Sequence, residues 1–310
     1  MILYQKYDFT CVWTSDALMP AYWGSALRGG LGKWLRKTSC ILRSRSCGDC
    51  AVRHACAYGF LFETERIKSE SGRINVRPHP IVLELPYPCH FSTKEGERFG
   101  FSLILVGKAD EYLPHLVYSF IKLGVEDGIG AKSRQGYGRF DLVSVSSGNE
   151  AIYERDSSQL KRHGSLRKLD IETPEGACSE IEVVFETPLR VKYRGHFARS
   201  MPFHLLVRTA LRRISSMEEF YGQGEPELDY KGLIEEAEKI GTVFEELHWR
   251  EVPRYSSRQK SKMTIGGLVG RAAYQGDLTE FVPLIRYCEV VHLGKQTFFG
   301  LGKIRMRIEV

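Results

Sequence analysis

No stretch of this sequence approaches the roughly 18 consecutive apolar residues that a membrane-spanning helix needs, so no transmembrane segment is predicted. The opening MILYQKYDFTCVW holds Lys6 and Asp8 inside its apolar stretch and lacks the layout of a secretory signal. A cytoplasmic protein with no membrane partner is expected. There is no biased or low-complexity tract, and the composition, 43% hydrophobic and 26% charged, is ordinary for a globular chain. The G-x-x-x-x-G-K-[ST] order is missing as well, which excludes a mononucleotide P-loop.

What is present begins with length and charge. At 310 residues the chain is long for one core and comfortable for two. Its net charge is +6. The basic residues gather beside Gly, Ser and Thr, over 28–45, 132–139, 254–262 and 295–307. Four such clusters, with aromatics among them, suit a polyanionic partner better than a merely solvated face.

The element order repeats. In the first half a strand over 2–13 leads through Pro20 to a helix whose Ala21, Leu27, Leu31, Trp34 and Leu35 recur at helical spacing. Strands over 79–86 and 97–106, a helix over 112–123 and a strand over 139–145 follow. The second half reads as a strand over 180–187, a helix from Pro202 and a short helix over 233–246. Strands over 249–258 and 263–274, a helix over 278–287 and a final strand over 303–310 complete it. Both halves read β-α-β-β-α-β, so the fold class is α+β with two tandem ferredoxin-like domains of the RRM type. The expected boundaries are 1–146, a polar connector over 147–179, and 180–310, with a cysteine-rich insertion at about 38–65.

GIGAKSRQGYGRFDLVSV and HLGKQTFFGLGKIRMRIEV close the two halves at matching places. Glycines there allow positive φ, and two uses stand open. Backbone N–H groups with Lys132, Arg134, Lys295 and Lys303 can cradle phosphate, or the glycines can relieve crowding in a tight helix-to-strand connection.

Of the eight cysteines, Cys40, Cys47, Cys50 and Cys56 crowd one short stretch in a C-x6-C-x2-C-x5-C pattern. Without a secretion signal a disulfide framework is not expected. Four thiolates suit a structural zinc ion, and an iron–sulfur cluster is the alternative.

RYSSRQKSKMTIGGLVGRAAYQG with HLGKQTFFGLGKI resembles the C-terminal half of CRISPR-associated endoribonucleases that process precursor CRISPR RNA, members of the RAMP superfamily. ETPLRVKYRG with LRRISSM and FYG is similar to the same half. PAYWGSALRGGLGKWLR, the clustered cysteines, Tyr58 and FLFET fit a cysteine-bearing branch. The resemblance implies a RAMP-like pair of ferredoxin-like domains and cleavage within CRISPR repeat RNA by its 2′-OH, with no cofactor for catalysis. It also implies that the guide RNA is retained or delivered to other subunits of an effector complex. The alternative is a non-catalytic subunit that only holds guide RNA.

Such cleavage needs proton-transfer groups and cations. Members of the family place a histidine after the first helix, and this helix contains none. The candidates are then His292 at the second glycine loop, His54 among the cysteines, and Tyr22, with His196 and His204 flanking the second half's first helix in reserve. For RNA binding the sequence offers Arg28, Arg36 and Lys37 on the first helix and the four loop cations above. A hairpin carries Arg254, Tyr255, Arg258, Gln259, Lys260 and Lys262, with Tyr255 available to stack on a base.

Overall fold

A computed structural model describes residues 1–42, 46–53, 55–64, 76–87, 92–133, 136–157, 159–161, 164–171, 176–256 and 261–308. The chain divides into two compact units. One comprises Tyr4–Arg167 with Arg254–Lys262, and the other Met1–Leu3, Lys168–Pro253 and Met263–Val310.

The first half runs β1 (Ile2–Trp13), β2 (Ala17–Leu18), α1 (Gly24–Ser39), α2 (Ala57–Phe62), β3 (Ile81–Glu84), β4 (Ser92–Thr93) and β5 (Arg98–Val106). It continues with α3 (Leu113–Lys122), β6 (Ile129–Ser133), β7 (Gly136–Gly138), β8 (Phe140–Ser147), β9 (Glu150–Glu154) and β10 (Arg167–Leu169). Its main sheet has the order β3-β5-β1-β8-β9, with β10 also on β1. The four strands of the β-α-β-β-α-β plan, β1, β3, β5 and β8, thus lie second-third-first-fourth, the ferredoxin-like arrangement. Strand period sets which face is buried. Tyr7, Phe9, Cys11 and Trp13 of β1 alternate inward, and Phe9 stacks on Phe101 across the β1–β5 register with ring centroids 4.8 Å apart. On α1, Leu27, Leu31, Trp34 and Leu35 form the buried stripe. Gly30 lets α1 close on the end of α3, because a Cβ there would stand 2.5 Å from Leu123 Cδ1.

The second half runs β11 (Glu180–Leu189), β12 (Lys192–Tyr193), β13 (His196–Phe197), α4 (Phe203–Tyr221), α5 (Tyr230–Ala237), β14 (Gly241–Ser256), β15 (Ser261–Gln275), α6 (Val282–Val291) and β16 (Ile304–Ile308). Its sheet has the order β14-β15-β11-β16, the same second-third-first-fourth arrangement. Phe203 meets Tyr274 and Phe281 with centroids 5.0 and 5.1 Å away, which pins the start of α4 to both β15 and α6.

Three expectations change. Residues 147–179, read as a polar connector, contain β9 and β10, and β9 pairs antiparallel with β8. The short helix expected over 233–246 stops at Ala237, and β14 starts at Gly241. Thr242, Val243 and Phe244 are β-branched or aromatic and suit a strand, which outweighs the acidic run that reads as helix. The first glycine loop is itself a hairpin, β6 on β7, with Ile129 opposite Gly138.

Candidate nucleic-acid interface

Between β11 and α4 the chain carries Arg190, Lys192, Arg194 and Arg199 among Tyr193, His196 and Phe197. β12 and β13 pair through Lys192–Phe197 and Tyr193–His196. Arg194 and Gly195 have φ of 48° and 86°, so a two-residue turn with positive φ at both positions closes the hairpin. Arginine holds that φ at a cost that glycine would not incur, and the turn leaves its side chain exposed at the tip.

Cations stack on aromatics throughout. The Arg190 guanidinium lies 4.3 Å from the Phe197 centroid, Lys192 lies 5.4 Å from the same ring, and Arg194 lies 5.1 Å from Tyr193. From β14, Trp249 packs beside Phe197 at 5.7 Å and carries Arg199 on its face at 4.3 Å. Two hydrogen bonds moor the loop behind this surface. The Met201 N–H donates to Glu245 Oε2 at 2.8 Å, and Tyr274 Oη donates to the Met201 carbonyl at 2.6 Å.

The result is a cavity of about 440 Å³ lined by Tyr193, Arg194, Phe197, Ala198, Arg199, Ser200, Pro202, His204 and Leu205. That is within the ordinary range of small-ligand sites and large enough for a nucleotide. His204 enters it from the first turn of α4, with its ring 6.3 Å from Tyr193. His196 is exposed on β13. Cations and aromatic faces, the groups from which single-stranded nucleic-acid sites are built, converge here with an imidazole beside them.

The residues that the sequence favours for proton transfer lie elsewhere. His292 is fully buried. It closes α6 with φ 57°, and its Nδ1 donates to the Leu301 carbonyl at 3.3 Å. Its ring orders the loop from inside and is out of reach of a ribose hydroxyl. Tyr22 is buried too, edge-on to Tyr87 with centroids 5.7 Å apart. His54 lies outside the described residues.

The glycine loop at 292–303 is a tight connection and not an open anion cradle. Leu293 N–H donates to the Gly302 carbonyl, Lys295 N–H to Arg190, Gly302 N–H to Pro188 and Leu301 N–H to Gln296. A Cβ on Gly302 would stand 1.9 Å from the Leu293 carbonyl oxygen. Lys295 is exposed on this loop. Lys303 faces Glu186 at 3.3 Å.

On α1, Arg36 and Lys37 are exposed, lying 5.7 Å from Tyr58 and 4.0 Å from Trp34. Arg28 is half-buried. It lies 5.1 Å from the Phe62 centroid, with Nη2 3.5 Å from His79 Nε2, and His79 Nδ1 donates to the Leu61 carbonyl at 3.0 Å. Arg28 therefore works largely inside its own unit. Arg254 on β14 is half-buried, and burial lowers its pKa. Arg134, Arg258, Gln259 and Lys260 lie outside the described residues, as do the side chains of Lys132, Tyr255 and Lys262.

The four clustered cysteines do come together. Cys40, Cys47, Cys50 and Cys56 line one small cavity with Leu42, Arg53, Tyr58 and Gly59. Their sulfurs do not close into a ligating group; among the described residues no three His, Cys, Asp or Glu side chains do so. No described helix is long and apolar enough to cross a membrane.

Residues 183–304, which hold the pocket, match the family described as CRISPR-associated endoribonuclease Cas6. That part of the chain is a Cas6 domain. Residues 2–165 match the AF_1859_N family, described as an N-terminal domain. Among solved structures, a Thermus thermophilus Cas6 is similar over 99% of both chains, at 13% identity and a TM-score of 0.56. A Cas6 product complex is similar over 98% of this chain and 99% of the other, at 13% identity and a TM-score of 0.55. A partial Cas6-RT-Cas1–Cas2 complex covers 100% of this chain and 47% of the matched one, at 11% identity and a TM-score of 0.57. These likenesses carry the tandem ferredoxin-like fold. Among curated proteins none matches the sequence. The Cas6 domain supports RNA binding and a part in CRISPR precursor-RNA processing.

Proposed function

We propose that this chain cuts CRISPR repeat RNA seated in the pocket ahead of α4, with His204 as its proton-transfer group. The observation that carries the reading is the convergence of Arg194, Arg199, Tyr193 and His204 on one cavity of nucleotide size. A base stacks on an aromatic face while the guanidinium groups hold the phosphates and stabilise the phosphorane. The ribose 2′-oxygen loses its proton and attacks the adjacent phosphorus. The bond to the 5′-oxygen breaks and that oxygen is protonated, leaving a 2′,3′-cyclic phosphate and a 5′-hydroxyl. Imidazole suits one of these transfers near neutral pH, with water serving the other. No metal ion enters the step.

The same reading extends to partners. Solved relatives occur in a product complex and in a complex with RT, Cas1 and Cas2. Repeat RNA is the proposed first partner here, and further CRISPR proteins receive the product.

His204→Ala tests the assignment. Cutting of the repeat should fall by roughly 10²–10⁴-fold, the usual worth of a general acid or base, with affinity for uncut RNA little changed. Cutting at the wild-type rate would remove His204 from the chemistry.

A further inference from the structure

The described residues in the stretch between Cys40 and Cys56 have no core of their own. None of them is buried, and Ile41 is 75% exposed. The flanks, by contrast, are anchored: Leu31, Trp34 and Leu35 of α1 precede it, and Ala57, Gly59 and Leu61 of α2 follow, all buried. A segment that buries so little apolar surface does not recover the entropy of ordering its backbone. Yet it brings four cysteines from four separate positions to line one cavity. Cys40 follows the last turn of α1, with its N–H on the Arg36 carbonyl. Cys47 and Cys50 bracket a single 3-10 turn, and Cys56 precedes α2.

We infer that Cys40, Cys47, Cys50 and Cys56 form a structural site for one zinc ion. Four thiols lose four protons to solvent, and four Zn–S bonds form at about 2.3 Å in a tetrahedral set with a net charge of −2. χ1 rotation between staggered wells lets the sulfurs turn from lining the cavity to ligating its centre. The surroundings fit that charge. Arg53 lines the same cavity, and its Nη1 donates to the Gly48 carbonyl at 3.5 Å, so its cation is held beside the sulfurs. Gly59 permits the closure, because a Cβ there would stand 2.3 Å from the Arg53 carbonyl oxygen.

The size of the cavity favours a single ion. At about 20 Å³ the space holds one water-sized body. A [4Fe–4S] cluster brings four irons and four sulfides of its own, so the segment would have to open to admit it.

The test uses the full chain as purified. Elemental analysis should give about one zinc per chain, released when a mercurial titrates the thiols and read with a chromogenic chelator. Cys50→Ser should lose that zinc and make the 41–55 segment the first site of proteolysis. A metal-free protein whose four thiols react freely in the folded state would overturn the site. So would a metal-free protein with the four cysteines paired as disulfides, seen as a mass about 4 Da lower. Iron with acid-labile sulfide would overturn the single-ion reading. None of these outcomes depends on RNA cleavage.

Discussion

The Arg213 guanidinium on α4 donates two hydrogen bonds to the carbonyl oxygen of Val291, at 3.1 Å from Nε and 2.7 Å from Nη2. Val291 ends α6, and its carbonyl is one of those the helix itself leaves unpaired. The same Nη2 reaches Thr297 Oγ1 at 3.3 Å. One buried cation therefore ties α4 to both ends of the 292–297 turn. Burial lowers the Arg213 pKa, as expected of a charge held inside the unit. Arg213→Met should fill the space but orphan the Val291 carbonyl, at a cost of roughly 1.5–3 kcal/mol. Thermal unfolding checks this; an unchanged midpoint would mean that the turn holds without the guanidinium.

Gly302 tests the packing role of the glycine loop. It has φ 74°, and a Cβ there would meet the Leu293 carbonyl. Gly302→Ala should lower the melting midpoint by an amount reflecting at least about 1–3 kcal/mol of strain. If stability were untouched and only RNA affinity fell, the loop would be an RNA cradle after all.

Glu289 gives a pH signature. Burial is the largest influence on its carboxyl and raises its pKa; the Met306 N–H, Arg286 and Arg305 pull it back, and Glu186 adds to the rise. The folded pKa thus exceeds the unfolded one, and the native state holds the proton more tightly. Stability must then fall as pH rises from the ordinary carboxylate range through the raised pKa, and stay lowered above it. Glu289→Gln keeps an oxygen to accept from Met306 N–H, which it does at 2.8 Å, while removing the charge. The variant should be more stable than wild type at about pH 8 and lose that advantage towards about pH 4. An equal or lower midpoint at the higher pH would contradict the direction.

Arg194 and Arg199 should act through phosphate. Changing both to alanine should weaken repeat RNA binding and flatten the log K against log salt slope by about 1.4, roughly 0.7 for each single-strand phosphate that is no longer neutralised. Fluorescence anisotropy across a salt series reads both quantities, and an unchanged slope would place the RNA elsewhere.

Much of the fold was legible because its elements announce themselves. Tyr7, Phe9, Cys11 and Trp13 alternate along β1 as a half-buried strand must, and Leu27, Leu31 and Leu35 keep helical spacing on α1. The repeated element order then gave both ferredoxin-like sheets. Short strands were not legible: β9 buries only the adjacent Ile152 and Tyr153, with no alternation to read, and β6 and β7 are glycine-rich, which reads as loop.

The site was harder. His292 beside Lys295 and three glycines reads as an exposed catalytic loop, whereas the ring is turned inward onto Leu301. The pocket lies wholly within residues 193–205, but its walls depend on Trp249 of β14 packing behind Phe197 and Arg199, a contact that no local pattern announces. A signal existed in VKYRGHFAR, where cations alternate with aromatics just ahead of a helix.

Cutting of CRISPR repeat RNA by this chain should run through the ribose 2′-hydroxyl. End-labelled repeat RNA, and the same RNA with one 2′-deoxy nucleotide at the cut site, should be incubated with wild-type protein in buffer free of divalent ions. The account predicts a single cut in the unmodified repeat, leaving a 2′,3′-cyclic phosphate and a 5′-hydroxyl, and no cut in the 2′-deoxy RNA. Repeat RNA that is bound and stays whole, or a 2′-deoxy RNA cut equally fast, would contradict it.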